Sequence, residues 1–321
     1  MKRYILRRLI HLVPLLFGMT FISFIIIHIA PGDPLTKLKM NPEVSPETIE
    51  LMKKTFGLDK PVIVQYFYWL KNILTFNLGE SFTYHVPVSS LIKQRLVNTI
   101  SLSIFSIFLT WIISIPLGVY AGLRDKRWQE KLLSFIAYIG ISLPSFFIAM
   151  LLVFFAAKTM VLPIGGTRSL FSENLSIFAR FMDYMRHLLL PGLSLTLAGI
   201  GSLYRLTKNN FLESFNSPYV VTAYAKGLPE HKILFKHVLR NAINPLITIL
   251  GYELSGILSG AALVEVITNW PGMGRLILEA VLSQDIYLVM ASLLISGILL
   301  ILGNLFADIM IAFADPRVRL R

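Results

Sequence analysis

The 321 residues are 55% hydrophobic and 15% charged, with a formal net charge of +12 and no cysteine. A soluble domain is about 25% charged and has no use for apolar blocks of bilayer length, so a water-soluble fold is excluded. The missing thiols exclude disulfides, thiolate metal sites and cysteine nucleophiles. The positive charge sits in loops between apolar blocks, not on one polar face, which argues against nucleic acid as a partner.

The chain opens on a basic start, Lys2, Arg3, Arg7 and Arg8, followed by an apolar stretch over 9–30. A cleaved signal peptide is the alternative. The apolar stretch is longer than a signal core, and His28, Ala30 and Pro31 make a poor cleavage site, so an uncleaved first membrane helix is expected. Residues 31–98 then mix proline, glycine, charge and aromatics, and read as an insert lying on one membrane face. Within it a helix is expected from Ser45 to Phe56, with Ser45 as N-cap and Glu47 and Glu50 in the first turns.

Further apolar spans are expected at 99–123, 132–158, 187–206, 246–268 and 287–313, each long enough for the hydrocarbon core. Pro116, Pro144 and Pro191 lie in or near them, where membrane helices tolerate kinks. The fold class is therefore all-α, integral to the membrane, with about six transmembrane helices. The expected organisation is 1–30 as tail and first helix, 31–98 as external insert, 99–313 as a five-helix core and 314–321 as a cytoplasmic tail. The N-terminus, the 124–131 loop, the 205–240 loop and the C-terminus fall on one side and carry the stronger positive balance. That side is expected to be cytoplasmic.

No phosphate-binding glycine-lysine loop, no His-Glu-x-x-His and no Gly-x-Ser-x-Gly is present. The chain is not expected to be an enzyme or to hold a cofactor or metal of its own, so its energy source must lie in another chain or in an ion gradient. An ion-coupled secondary transporter is the alternative class. It predicts inverted repeats and paired intramembrane charges, and the chain shows no repeat and, with Asp308 counted at the cytoplasmic end of the last span, only two acids within a span, Glu253 and Glu265.

The informative element is the loop over 207–245. A short helix is expected to start after Pro218 and to end at Gly227, where glycine suits a C-cap. Ala223 and Gly227 stand one turn apart and would leave a flat spot for a partner surface. A second helix over 230–241 would align Lys232, Lys236 and Arg240 as a basic stripe. Pattern alone leaves two uses open, contact with anionic lipid or docking to a protein.

Here the chain resembles the cytoplasmic coupling motif of binding-protein-dependent ABC importer permeases. The matching run is Thr222, Ala223, Tyr224, Ala225, Lys226 and Gly227, continuing through His237, Leu239, Arg240, Asn241, Ala242 and Pro245. The leading acid of the general motif is absent, with Val221 standing before Thr222, as is typical of the peptide-importer branch. Arg8-Leu9, the run Ala30-Pro31-Gly32-Asp33-Pro34, Gly57-Leu58, Leu78-Gly79, Asn98-Thr99, Ser142-Leu143-Pro144, Trp270-Pro271-Gly272 and Asp315-Pro316-Arg317 extend the likeness over most of the chain. They are similar to the dipeptide and oligopeptide permease subunit with the large external insert.

The resemblance implies a second homologous permease subunit, two cytoplasmic ATPase subunits that bind ATP and Mg, an external substrate-binding protein, and a di- or oligopeptide substrate. Nickel complexes and glutathione are the alternatives within the family. It makes Thr222, Ala223, Ala225, Lys226, Gly227, Lys232, Lys236 and Arg240 the ATPase-coupling residues.

An intramembrane carboxylate is costly and faces protein or water. Glu253 either lines the translocation path or makes a hydrogen bond between helices, and the second is favoured. Glu265 is the second candidate for the translocation path; it sits near the external end of its span, where the alternative is that it reaches the membrane interface. Arg205 and Lys208 read as snorkelling anchors, and Trp270 as an interfacial belt residue in an external turn.

Overall fold

The computed structural model describes residues 2–29, 35, 39, 45–55, 57–255 and 262–314. In chain order the helices are α1 (Lys2–Ile29), α2 (Pro46–Thr55), α3 (Val62–Leu74), α4 (Val88–Leu123), α5 (Trp128–Ser142), α6 (Ser145–Thr159), α7 (Ile177–Phe215), α8 (Pro218–Ala225), α9 (Glu230–Lys232), α10 (Arg240–Ser255), α11 (Ala262–Ile267), α12 (Met273–Leu282) and α13 (Ile286–Ala314). A π-helical stretch, Ile233–Leu239, joins α9 to α10. Among the described residues the fold is all-α, with one isolated antiparallel bridge between Glu80 and Pro87.

Among the described residues four helices, α1, α4, α7 and α13, are long and apolar enough to cross a bilayer. The single span expected over 132–158, with at most a kink at Pro144, is corrected. Pro144 cannot donate to the helix ladder, and the residue before a proline is driven out of the helical region. Leu143 is accordingly extended (φ −95°, ψ 127°), and α5 and α6 meet at 99°. Each is about 22 Å long against a hydrocarbon core of about 30 Å, so they make one broken crossing or a re-entrant pair. By contrast α4 continues through Pro116 and α7 through Pro191. The expected span over 246–268 is seen as α10 and α11. Its residues 256–261, the Ala30–Pro34 motif and the Asp315–Arg317 motif lie outside the described residues.

The chain divides into two compact units, residues 1–97 with 272–301, and residues 98–271 with 302–321. In the first, α1, α3 and the first turns of α13 share a core of Phe24, Tyr66, Trp69, Phe82, Ile286, Met290 and Leu294. Ser45 caps α2 by accepting from the Thr48 amide at 3.2 Å, as its position in the sequence requires.

A clasp of hydrogen bonds ties residues 81–84 to the α12–α13 turn. Asp285, fully buried, accepts from the Ser81 hydroxyl (2.5 Å) and the Thr83 amide (3.0 Å). Its other oxygen accepts from the Leu288 amide and so caps α13 (3.2 Å). Tyr84 donates to Glu279 at 2.7 Å, and Arg275 Nε donates to the same carboxylate at 2.7 Å. Burial alone would push Glu279 up, but these two hydrogen bonds outweigh it and hold the carboxyl below the ordinary glutamate value. Burial and then the bond to Glu279 hold the Tyr84 hydroxyl above the ordinary phenol value.

In the second unit α7 is the central helix, with α5, α6 and α10 packed against it. Its contact with α4 depends on small residues. A Cβ on Gly118 would stand 2.7 Å from Thr207 Cβ, and one on Gly122 would stand 2.5 Å from Phe211 Cδ1. Two glycines four apart let apolar helices approach closely, the membrane-packing use of this spacing. Trp270 is corrected from belt residue to core: it is 1% exposed, packs with Leu102 and Leu188, and donates its indole N–H to the Asn98 carbonyl at 3.3 Å. Asn98 answers with a bond to the Pro271 carbonyl at 2.8 Å. A tryptophan with its one donor satisfied inside protein has no need of the interface.

Candidate functional site

The loop expected to couple the chain to a partner forms a small folded body at the end of α7. After Ser217, Pro218 occupies the first helical position of α8, where its missing N–H costs nothing. The helix ends in a glycine turn. The Gly227 amide donates to the Tyr224 carbonyl (2.9 Å) and the Leu228 amide to the Ala223 carbonyl (3.3 Å). Gly227 has φ +69°. This is the reciprocal pair of bonds that closes a helix through a left-handed residue, and only glycine adopts that conformation without penalty. Pro229 follows and starts α9.

The expected regular helix over 230–241 is corrected. The chain is α-helical for Glu230–Lys232, widens to π-helical winding over Ile233–Leu239, and resumes as α10 at Arg240. In the wider winding residues five apart face the same side. Ile233 and Val238, five apart, are both 0% exposed. Burial of that pair in one cluster with Phe211, Val220, Ala223 and Ala242 accounts for the winding. An α-helix would turn one of the two outward.

The same cluster decides which motif residues remain free. Thr222, Ala225, Lys226, Gly227, Lys232, Lys236 and Arg240 are exposed, and the Thr222 hydroxyl bonds back to the Pro218 carbonyl at 3.0 Å. Ala223 is not among them. It is buried in the chain's own core, so the flat spot expected from Ala223 with Gly227 does not form. The alanine is small because it meets the loop's own apolar side. The outward face instead combines the four cations with Tyr219, Val221, Tyr224 and Phe235, all exposed.

Lys208 was not legible as a partnered residue. Its ammonium donates to Glu130 at 2.6 Å and lies 3.4 Å from Asp125, fastening α7 to the start of α5. Glu130 also accepts from the Ser134 hydroxyl at 2.6 Å. Lys208 is thus an ion-pair partner and not a snorkelling anchor, whereas Arg205 is exposed. Two acids in the 124–131 loop, expected on the same membrane side as Lys208, were the available signal. Gly118 and Gly122 were missed as well, although their four-residue spacing in an apolar helix was readable.

The two acids singled out within the 246–268 span are both hydrogen-bonded. Glu253 on α10 accepts from the Trp111 indole N–H of α4 at 2.7 Å, the helix-to-helix bond favoured from sequence. Glu265 on α11 is 0% exposed and accepts from the Thr99 hydroxyl at 2.7 Å. The alternative that it reaches the interface is corrected. A carboxylate this deep needs a partner more than it needs water.

An all-helical chain with several bilayer-length helices, a compact charged loop and intramembrane acids held by other helices is a membrane-spanning component, not a membrane-anchored soluble domain. Residues 114–320 match the binding-protein-dependent transport system inner membrane component, and residues 1–103 match the N-terminal region of the membrane component of such systems. The chain belongs to this family and is a multi-pass inner-membrane transport subunit. Membership implies the company of a substrate-binding protein and an ATPase.

Its relatives include the oligopeptide transport system permease protein AppB of Bacillus subtilis (strain 168), 39% identical over 320 residues with 99% of each chain covered. The dipeptide transport system permease protein DppB of Alkalihalophilus pseudofirmus is 32% identical, covering 99% of this chain and 100% of its own. The glutathione transport system permease protein GsiC of Escherichia coli O6:H1 is 33% identical, with 99% of each chain covered.

Proposed function

We propose that this chain is a pore-forming permease subunit of an ATP-driven importer of di- or oligopeptides, and that residues 217–240 are the element on which an ATPase subunit seats. The observation that carries the proposal is the loop's construction. Its apolar side is consumed by a core with Phe211 and Ala242, while Lys226, Lys232, Lys236 and Arg240 stand exposed beside Tyr219 and Phe235. An element that transmits force has to be rigid at its base and open at its face; aromatics and arginine are enriched at protein interfaces, and exposed cations steer and orient a partner of opposite charge.

In this reading ATP and Mg bind to two partner ATPase subunits, and a second homologous permease completes the pore. The basic balance of the loops puts both termini and the coupling loop in the cytoplasm and residues 31–98 at the opposite side. Glu253 and Glu265 act as fasteners between helices. The names of the relatives favour peptide over other solutes, and glutathione is itself a short peptide.

The test is purification of the tagged chain from native membranes in mild detergent, with and without Lys232→Glu and Lys236→Glu. A homologous permease and ATPase chains are expected to co-purify, and the double reversal is expected to release the ATPases. ATP-dependent uptake by the reconstituted complex then ranks dipeptides, longer peptides and glutathione. A chain that purifies alone and still moves solute would be an ion-coupled transporter, and the proposal would fail.

A further inference from the structure

We propose that α3 lies within the hydrocarbon layer, in the half of the bilayer farther from the α1 N-terminus, with acyl chains covering its outer face. The segment expected as an insert on the membrane face thus dips back into the membrane.

Depth is the first argument. α1 spans with Leu12–Ile29 as its apolar window. The Tyr66 ring of α3 packs among Phe17, Phe21 and Phe24 of α1, at centroid distances of 5.7, 5.2 and 5.4 Å. Its hydroxyl lies 3.0 Å from the Thr20 hydroxyl and donates to the Phe17 carbonyl at 3.3 Å. Thr20 lies nine residues from the end of that window, about 14 Å at the helical rise, which is close to half of an approximately 30 Å core.

A second helix gives the same level independently. α13 begins at Ile286, and a Cβ on its Gly297 would meet Met19 Cε at 2.5 Å and Leu16 Cδ2 at 3.0 Å. Gly297 is eleven residues into α13, about 17 Å from its start, so two spans agree that residues 16–20 of α1 mark the midplane. Between this level and the start of α13, Tyr66 and Trp69 share a core with Ile286, Met290 and Leu294. These three residues are four apart and form one face of α13.

Chemistry is the second argument. Helix α3 reads VIVQYFYWLKNIL, with Lys71 as its single charged residue. The side turned away from α1 and α13 carries Ile63, Phe67 and Leu74, 61%, 55% and 77% exposed; Tyr68 beside them is covered by the Lys60 ammonium, 3.9 Å from its ring centre. A helix apolar on both sides suits hydrocarbon and not a water-facing insert. Of its polar side chains, Gln65 bonds His28 and the Lys60 carbonyl, the Trp69 indole N–H is buried without a partner, and Asn72 stands exposed beside Lys71 near the end of the helix. Lys71 has the stem length to reach the headgroups.

The absence of cysteine makes the test direct. Single-cysteine variants Phe67→Cys and Leu74→Cys, with Ser89→Cys as aqueous reference, are spin-labelled in the intact transporter complex in liposomes. Collision rates with oxygen and with a water-soluble nickel chelate are then compared. The ratio of oxygen to nickel collisions is expected to be several-fold higher at 67 and 74 than at 89. Nickel-favoured collisions at 67 and 74 would place α3 in water and overturn the proposal. Inaccessibility to both reagents would mean that protein covers the face, which also overturns it. The unmodified complex supplies a second measurement that needs no variant. A photoreactive diazirine carried on a lipid acyl chain is expected to leave adducts on residues 63–74, and their absence would count against lipid contact.

Discussion

The loop over 217–240 and the clasp between 81–84 and 275–285 are both rich in ionisable side chains, and they turn them in opposite directions. In the loop, Ile233, Val238, Val220 and Ala223 form the inside and the cations stay in water. In the clasp, Asp285 is sealed from solvent and Glu279 is tied to Tyr84 and Arg275. A charge left solvated on a packed base costs the fold little and stays available to a partner. A charge withdrawn from water is bound to its own chain and sets the position of the segments it joins. Changes in the clasp should therefore act on stability, and changes on the loop's outer face on partnership.

Asp285→Ala should show the largest effect. It leaves the Ser81 hydroxyl and the Thr83 amide without their acceptor and α13 without its cap, a loss of about 3 kcal/mol. It is read as a lower midpoint of thermal unfolding and faster amide exchange over 79–88. Lys208→Met sharpens the contrast, because Lys208 belongs to the loop's own unit yet is fastened as Asp285 is. Loss of its pair with Glu130 should cost about 2 kcal/mol, less than a fully buried pair because both groups retain some solvent. Glu130→Gln in the same background should restore part of it.

Lys232→Glu with Lys236→Glu reverses the pattern. Unfolding should move by less than about 0.5 kcal/mol, while the amount of ATPase retained on the purified chain falls about tenfold, the equivalent of roughly 1.4 kcal/mol of affinity. A large fall in stability with ATPase retention unchanged would break the comparison. Gly227→Ala tests the loop's base. Nothing stands within 4 Å of the added Cβ, so only the left-handed backbone resists it, at about 1 kcal/mol.

Acid titration should give the smallest effect. The folded pKa of Glu279 is depressed, so its contribution is complete above the ordinary glutamate value near about 4.3 and is lost as pH falls through the lower folded value. Unfolding midpoints of the parent and of Glu279→Gln should converge below that point and separate above it.

Much of the architecture was readable from the residues. Apolar length announced α1, α4, α7 and α13, Ser45 announced α2, and Pro218 and Gly227 bracketed α8. Two readings of secondary structure failed for stated reasons. Pro144 was taken as a kink and proved a right-angle break, because α5 and α6 each pack on α7 and need not be collinear. The stretch Ile233–Leu239 was read as regular helix, because periodicity does not announce a winding chosen by burial of Ile233 with Val238.

Composition, apolar block length, proline and glycine positions and loop charge determine by themselves that this chain crosses a membrane several times and carries a glycine-terminated helix in a basic loop. These signals are local, since helix formation, capping and insertion depend on residues a few positions apart. Tertiary structure alone decided the pairings: Ser81 with Asp285 across 204 residues, Thr99 with Glu265 across 166, Lys208 with Glu130 across 78, and Tyr66 with Thr20 across 46. A buried polar group must find some partner, but any of several hydroxyls or carboxylates would satisfy the requirement. Only the folded chain selects which of them comes within hydrogen-bonding distance.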